Sequence, residues 1–297
     1  MHSLPLALQN PSPAFRAAWD SFIHNDTNLG HAHRGYEGGD LSHHLVCINR
    51  QAGHSALRIS QQITLSSPVD ILDLGASAGA LSLALAMQFP SARVYALEPE
   101  AEAHAVLVHM AQAVSQCRVI PFLGVGESIP LPDSSVDLVV CHTVLEHVRD
   151  PKKVLSEIAR VLRPGGEAHI ELPNYIWPME PHLGTFFIPF SGKGMMKLLA
   201  RLQGRSQSQA QFVDHLQLLT KFQFEEILAQ NNFRFYNLVS DKIFSNHASD
   251  EHHVHLGWRR KLLSMLLVNG VGRGLLRLCL FLGLYPSLLY RLTKPTT

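Results

Sequence analysis

The chain has 297 residues, 46% of them hydrophobic and 16% charged, with a formal net charge of +1. That length suits one large domain, or a domain with an appendage. The charge-poor composition excludes a disordered chain, and near-neutrality gives no global field for nucleic acid. The four cysteines, Cys47, Cys117, Cys141 and Cys279, show no zinc or redox spacing, and three stand in apolar runs. Buried thiols in a reducing, cytoplasmic compartment are expected. The first residues, MHSLPLALQNPSPAF, lack a basic start and a long apolar run, so no signal peptide is expected. Of the 18 histidines, the densest groups are His31 and His33, His43 and His44, and His252, His253 and His255. None follows a metal-ligand spacing, so they read as surface or pocket residues and no metal is expected.

In chain order, residues 1–66 read as a helical lead-in, with apolar residues at helical intervals over Phe15–Phe22 and Leu41–Ile63. The glycine-rich stretch Asn25–Asp40 separates them. From Val69 strands and helices alternate: a strand Val69–Leu74, a helix Gly79–Gln88, a strand Arg93–Leu97 and a helix Glu100–Val114. Strands Arg118–Phe122 and Val136–Cys141 follow, then a helix Pro151–Leu162 with proline at its start and Pro164-Gly165-Gly166 past its end. A fifth strand is expected at Ala168–Leu172. Such alternation predicts βαβ units and a parallel sheet covered on both faces.

Two features in this pattern bind ligand. The stretch VDILDLGASAGALSLAL (Val69–Leu85) feeds an apolar strand ending in Asp73 through a small-residue turn into a helix. Backbone N–H groups and the helix dipole meet a ligand closely there. Glu98 ends the second strand, 23 residues after Gly75, where an acid can accept both hydroxyls of a ribose.

The segments DLGASAG, LEPE and GESIPLPDSSVDLVVCHTVLEHVRDPKKVLSEIARVLRPGGEAHIELPN together resemble the class I S-adenosylmethionine (SAM)-dependent methyltransferases, closest to the type 11 branch. The resemblance runs continuously over Ile71–Asn174 and more weakly over Leu218–Val239. It implies a Rossmann-like, doubly wound, seven-stranded sheet within residues 67–258 and S-adenosyl-L-methionine as cofactor. Asp73, Gly75, Ala76, Ser77 and Gly79 would hold the amino acid end of SAM, and Glu98 the ribose. Gly126 and Glu127 would flank the adenine, and Cys141–Leu145, including His142, would run under the methionine. Two positions depart from the family pattern: Ser77 replaces the middle glycine of the turn, and Val125 stands where an acid commonly meets the adenine amino group.

Methyl transfer from a sulfonium is an in-line displacement in which the protein aligns the nucleophile and excludes water. A hydroxyl acceptor needs a base, and His142, His147, His182 and His215 lie in strand-end loops or the lid. Of these His147 and His182 are the expected catalytic pair. Residues 173–214, rich in aromatics and proline, read as a lid inserted after the fifth strand, with Trp177, Phe186, Phe187 and Phe190 available to an apolar or ring-shaped acceptor. A helix Lys221–Gln230, a strand Arg234–Val239 and a final antiparallel strand near Val254–Trp258 should complete the sheet.

Residues 259–297 pair a basic edge, Arg259-Arg260-Lys261, with short apolar runs below the ~20 residues of a membrane span. They are expected as apolar helices making peripheral contact with the inner membrane face through residues 259–292. The expected function is methyl transfer, favouring oxygen, to a small or lipid-linked acceptor. The alternatives are a SAM-binding but inactive regulatory homologue and a nicotinamide-dependent oxidoreductase, the latter disfavoured by the IPLPDSSVDLV and LRPGG segments.

Overall fold

The computed structural model describes residues 11–24, 41–114, 118–244 and 270–296. The lead-in is helical, as its periodicity predicts. Helix α1 (Pro13–His24) is followed by α2 (Leu41–Gln62). Phe15, Trp19 and Phe22 of α1 are buried with Leu41 and Leu45 of α2. The stretch Asn25–Asp40 lies outside the described residues.

The alternating region forms β1 (Asp70–Leu74), α3 (Ala80–Gln88), β2 (Arg93–Glu98), α4 (Ala101–Ala113), β3 (Val119–Leu123) and β4 (Val136–His142). Then come α5 (Pro151–Val161) and β5 (Leu162–Pro173). Asp150 caps α5 by accepting the N–H groups of Lys152 and Lys153 at 3.0 and 3.1 Å, and Pro151 occupies the first turn, where its missing donor costs nothing. The strand β5 starts earlier than its apolar run suggests. Val136 pairs with Leu162, but Leu138 already pairs with Glu167, so Arg163–Gly166 bulge between two registers of one strand. Gly166 is needed there because a Cβ would stand 3.0 Å from the Asp137 carbonyl.

After β5 the lid contains a small hairpin, β6 (Met179–Glu180) and β7 (Thr185–Phe186), then α6 (Gly192–Leu202), α7 (Gln207–Gln211) and a 3₁₀ turn, Phe212–His215. The chain returns to the sheet through α8 (Lys221–Gln230), which Thr220 and Gln223 start as a reciprocal capping box. It continues as β8 (Arg234–Asn237) and α9 (Val239–Phe244), and resumes with α10 (Gly270–Phe281) and β9 (Ser287–Thr293).

The main sheet has seven strands in the order β3-β2-β1-β4-β5-β9-β8. Its first five strands are parallel, and β9 runs antiparallel to both β5 and β8. Alternate residues serve opposite faces. Ile71, Leu138 and Val140 pack with Ala52, Ala56 and Ile59 of α2, whereas Leu72, Leu74, Val139 and Cys141 join the core under α5 and α8.

The position of β9 corrects two expectations about the carboxyl end. The antiparallel strand is Ser287–Thr293, not Val254–Trp258, which falls outside the described residues. The span 259–297 is therefore not a run of appended helices: its last part lies inside the sheet, and the domain extends to 296. Leu288, Leu289, Tyr290 and Leu292 are fully buried, worth about 1.5–3 kcal/mol each in transfer free energy. Peripheral membrane contact through 287–292 is excluded by the same burial. A seven-residue strand flanked by Pro286 and Pro295 looks, in one dimension, like the end of an apolar helix. Among the described residues no helix is long and apolar enough to cross a membrane.

The lead-in is tied to the sheet by polar contacts as well. Arg58 pairs with Glu171 at 2.8 Å, the Thr64 N–H donates to buried Glu167 at 2.8 Å, and Arg291 donates to the Gln62 carbonyl at 3.0 Å. Helix α2 thus runs along β5 and β9 as a structural layer of the domain.

Candidate functional site

At the carboxyl ends of β1 and β2 the chain does what its sequence suggests. Strand β1 breaks at Gly75, whose φ of 76° lies in the left-handed region and whose missing Cβ makes room for the Val144 side chain. The N–H groups of Gly75 and Ala76 both donate to the Leu97 carbonyl, at 2.8 and 3.0 Å, which fastens the turn to the tip of β2. Ser77 also adopts a positive φ, 48°, a conformation strained for a residue with a side chain. Its N–H donates to Glu98 Oε2 at 2.8 Å, while Glu98 Oε1 accepts from Glu100 N–H at 2.9 Å.

Both acids of this site are inside the protein. Asp73 is 3% exposed and Glu98 1%. Ser82, on α3, donates to Asp73 at 2.5 Å. Burial pushes the Asp73 carboxyl up to about 6 against the help of Ser82. Burial pushes Glu98 up to about 7, against two backbone N–H bonds and with added repulsion from Glu100 and Asp73. Two buried, mutually repelling acids on adjacent strand tips suit a ligand that donates hydrogen bonds and carries positive charge. Each Glu98 oxygen has a lone pair beyond the backbone bond it accepts, room for one hydroxyl each. A diphosphate would meet like charge at the same place.

The residues expected at the adenine end divide. Gly126 lies against Val154 and Leu74, where a Cβ would be 3.3 to 3.4 Å from their side chains. Glu127 turns away: its Oε1 accepts the N–H groups of Arg149 and Asp150, at 2.8 and 3.3 Å, and so holds the approach to α5. Leu123 and Val125 are exposed apolar residues on that rim. His142, at the end of β4, has its ring bonded to His169 at 2.8 Å, and His169 reaches Gln62 of α2 at 2.9 Å. That chain links the strand end to the lead-in helix.

The structure brings His147 and His182 together, with ring centroids 5.0 Å apart. His147 lies in the turn after β4, and His182 in the tight turn of the lid hairpin. Phe212 of the 3₁₀ turn packs on both, at 5.9 and 5.3 Å. Burial first, and His182 second, push His147 down to about 4. Burial alone would lower His182, but the Glu180 carboxylate at 2.6 Å and Glu146 leave it above its ordinary value. His215, the remaining histidine considered as a base, ends the 3₁₀ turn and shows no such pairing in its contacts.

Several participants were not read from the sequence. Glu146 is fully buried beside His147, and Glu180 is buried behind His182. The Tyr175 hydroxyl is buried without a partner, and burial, then Glu180 and Glu146, push the phenol up. Gln217 clamps the lid to the turn: its N–H donates to the Glu146 carbonyl at 2.7 Å and its side chain to Val148 at 3.0 Å. Asp73 pairs with Val140 of β4, and Glu146 and His147 follow the end of that strand, so the histidine pair and the acidic turn lie at one end of the sheet. The acid beside His147 in VLEHV was the available signal: a charge in an apolar run must be satisfied or used.

This sheet order, with a strained turn at the first strand tip and a buried acid at the second, defines a Rossmann-like domain. Residues 72–170 match the family described as a methyltransferase domain. Over those residues the chain is similar to the class I SAM-dependent methyltransferases.

The chain is 32% identical over 124 residues to malonyl-[acyl-carrier protein] O-methyltransferase of Hahella chejuensis, covering 41% of this chain and 42% of that one. It is 37% identical over 123 residues to human thiol S-methyltransferase TMT1B, covering 38% and 47%. In both cases less than half of the relative's length is matched. Among solved structures, phosphoethanolamine N-methyltransferase 2 of Haemonchus contortus in complex with SAM shares the fold, with a TM-score of 0.53 over 96% of this chain and 60% of that one at 15% identity.

Proposed function

We propose that the protein is an active methyltransferase that binds S-adenosyl-L-methionine at the β1–β2 tips and methylates a small, apolar or amphipathic acceptor, with oxygen the favoured atom. The observation that carries this reading is the buried pair Asp73 and Glu98. Both acids are raised by burial and Glu98 further by repulsion from Asp73, so a cationic ligand with a diol relieves them where a phosphate ligand does not. Relatives that act on oxygen and on sulfur support the reaction class and leave the acceptor to the lid.

When bound, SAM supplies an electrophilic methyl group on a sulfonium. The chain's own residues do the rest. Gly75, Ala76, Ser77 and Gly79 let backbone approach the amino acid end, and Asp73 faces its charge. Glu98 accepts the ribose hydroxyls. Gly126 offers a flat backbone wall to the base, and Glu127 fixes the loop that carries it; His142 supports the strand end beneath the methionine. His147 and His182 meet the acceptor, and Phe212 and the lid exclude water from the transfer.

The lid favours an apolar or lipid-linked acceptor. Phe186, Ile188, Phe190, Leu198 and Leu202 are exposed, Phe190 at 80%, beside Lys193, Lys197 and Arg201. Leu275, Leu278 and Phe281 expose a second apolar row on α10. Apolar side chains edged by cations suit a peripheral, interfacial approach to a membrane-borne acceptor, made through the lid and α10 and not through β9.

The test is transfer of a labelled methyl group from SAM into organic-phase and aqueous acceptors, with vesicle sedimentation of the whole chain in parallel. Label in an organic-phase product as an O-methyl ether or ester supports the reading. SAM binding with no transfer to any acceptor class favours an inactive homologue.

A further inference from the structure

Three side chains from two separate segments converge where the lid hairpin closes on the turn after β4. Glu146 and His147 come from the turn and His182 from the hairpin, and one ligand atom from each lies within 4.8 Å of the other two. The Glu146 side chain has no exposure, and neither of its oxygens has a hydrogen-bond partner. His147 Nδ1 is also buried without a partner. A buried carboxylate left in this state must hold a proton or meet a cation, and burial pushes Glu146 up to about 7.

The surroundings of His182 point the same way. Its Nδ1 bonds to Glu180 Oε1 at 2.6 Å, and the other Glu180 oxygen accepts the Leu183 N–H at 2.5 Å. A buried carboxylate behind one ring nitrogen fixes the tautomer and leaves Nε2 as the ligating atom, the usual support for a metal-bound histidine. The His182 side chain is 27% exposed, which gives an ion a path from solvent.

We propose that Glu146, His147 and His182 bind one divalent transition-metal cation of the zinc class that fastens the lid to the turn after β4. Two imidazoles and one carboxylate suit such borderline ions better than magnesium or calcium, which favour all-oxygen sites. Three protein ligands leave at least one coordination position open. A hydroxyl or thiol of the acceptor bound at that position would lose its proton more readily. Only this last role rests on the methyl-transfer reading; the cation site stands on its own residues.

The test titrates chelator-treated full-length protein with cobalt as a visible probe and displaces it with zinc. It is run on the native chain and on Glu146→Gln and His182→Ala, with S-adenosylhomocysteine binding as the control for folding. The native chain should bind one equivalent more than either variant, because histidines elsewhere hold any background equally in all three. Equal cobalt binding by a variant that still binds S-adenosylhomocysteine overturns the proposal. A second measurement needs no variant: zinc should protect His147 and His182 from histidine-directed acylation read by mass spectrometry, and equal labelling with and without zinc overturns it. Failure of the native chain to bind S-adenosylhomocysteine would count against the methyltransferase reading, and the thermal melt then serves as the folding control while the zinc-protection readout stands unchanged.

Discussion

The Ser77 N–H donates to Glu98 Oε2 at 2.8 Å, so the turn after β1 is positioned by the same carboxylate that is proposed to accept the ribose hydroxyls. On that proposal one buried acid both shapes the turn and binds the ligand. Its cost and its use can be separated by pH.

Glu98 has an ordinary pKa of 4.5 and is raised to about 7 in the fold. Between those values the native state holds more protons than the unfolded chain, so stability falls as pH rises through that window. The difference is on the order of 2–3 kcal/mol at pH 8. Glu98→Gln removes that pH-dependent cost but sets an amide NH2 against one of the two backbone donors, so it should lower the melting temperature of the free protein less at pH 8 than near pH 4. The same variant should weaken SAM binding by roughly 100-fold, the scale of a buried charged hydrogen-bond pair. Calorimetry and thermal melts at both pH values check this, and equal effects at both would contradict it.

Gly75→Ala should be among the most damaging small changes in the chain. It forces a left-handed φ on alanine and drives a methyl group into Val144. Together these cost roughly 1–3 kcal/mol. Adding Val144→Ala should recover the steric part and not the conformational part, so the double variant falls between Gly75→Ala and the native chain in a denaturant melt. Full recovery would show that φ at this position carries no strain.

Leu289→Ala removes a fully buried side chain of the interior strand β9 and should destabilise the domain by roughly 2–4 kcal/mol. Ending the chain at Pro286 should leave no cooperative unfolding transition, because β5 and β8 would lose the strand between them. A truncated chain that still melts cooperatively would make residues 287–297 an appendage after all.

Gln217 tethers the lid through its side-chain bonds to the Val148 and Arg149 carbonyls at 3.0 and 3.3 Å. Gln217→Ala removes contacts worth about 1 kcal/mol net. It should increase proteolytic cutting within residues 175–216 several-fold while leaving the global melt nearly unchanged. Unaltered cutting would mean that His182 and Phe212 hold the lid without it.

The strand, turn and acid proposed to hold the donor were legible from the sequence as local structure. A strand, a small-residue turn and a helix follow one another in the chain, and Glu98 lies one βαβ unit further on. The element boundaries from Val69 to Val161 follow for the same reason, since period and punctuation are short-range signals. Two things were not legible. Strand β9 pairs with β5 and β8 from more than a hundred and from about fifty residues away, and its continuous apolar run is read equally well as helix. The meeting of Glu146 with His182 depends on how the lid folds back, which no spacing records. Glu127 misled for a different reason: an acid in an adenine-facing loop was better used by two backbone donors at the start of α5.

The central claim is that the Asp73–Glu98 pair binds S-adenosyl-L-methionine. Its most direct test is equilibrium titration calorimetry of the full chain at pH 8 with SAM and, separately, with NADH. The predicted result is stoichiometric binding of SAM, loss of that binding in Glu98→Gln, and no heat with NADH. Binding of NADH, or undiminished SAM binding by Glu98→Gln, would contradict it.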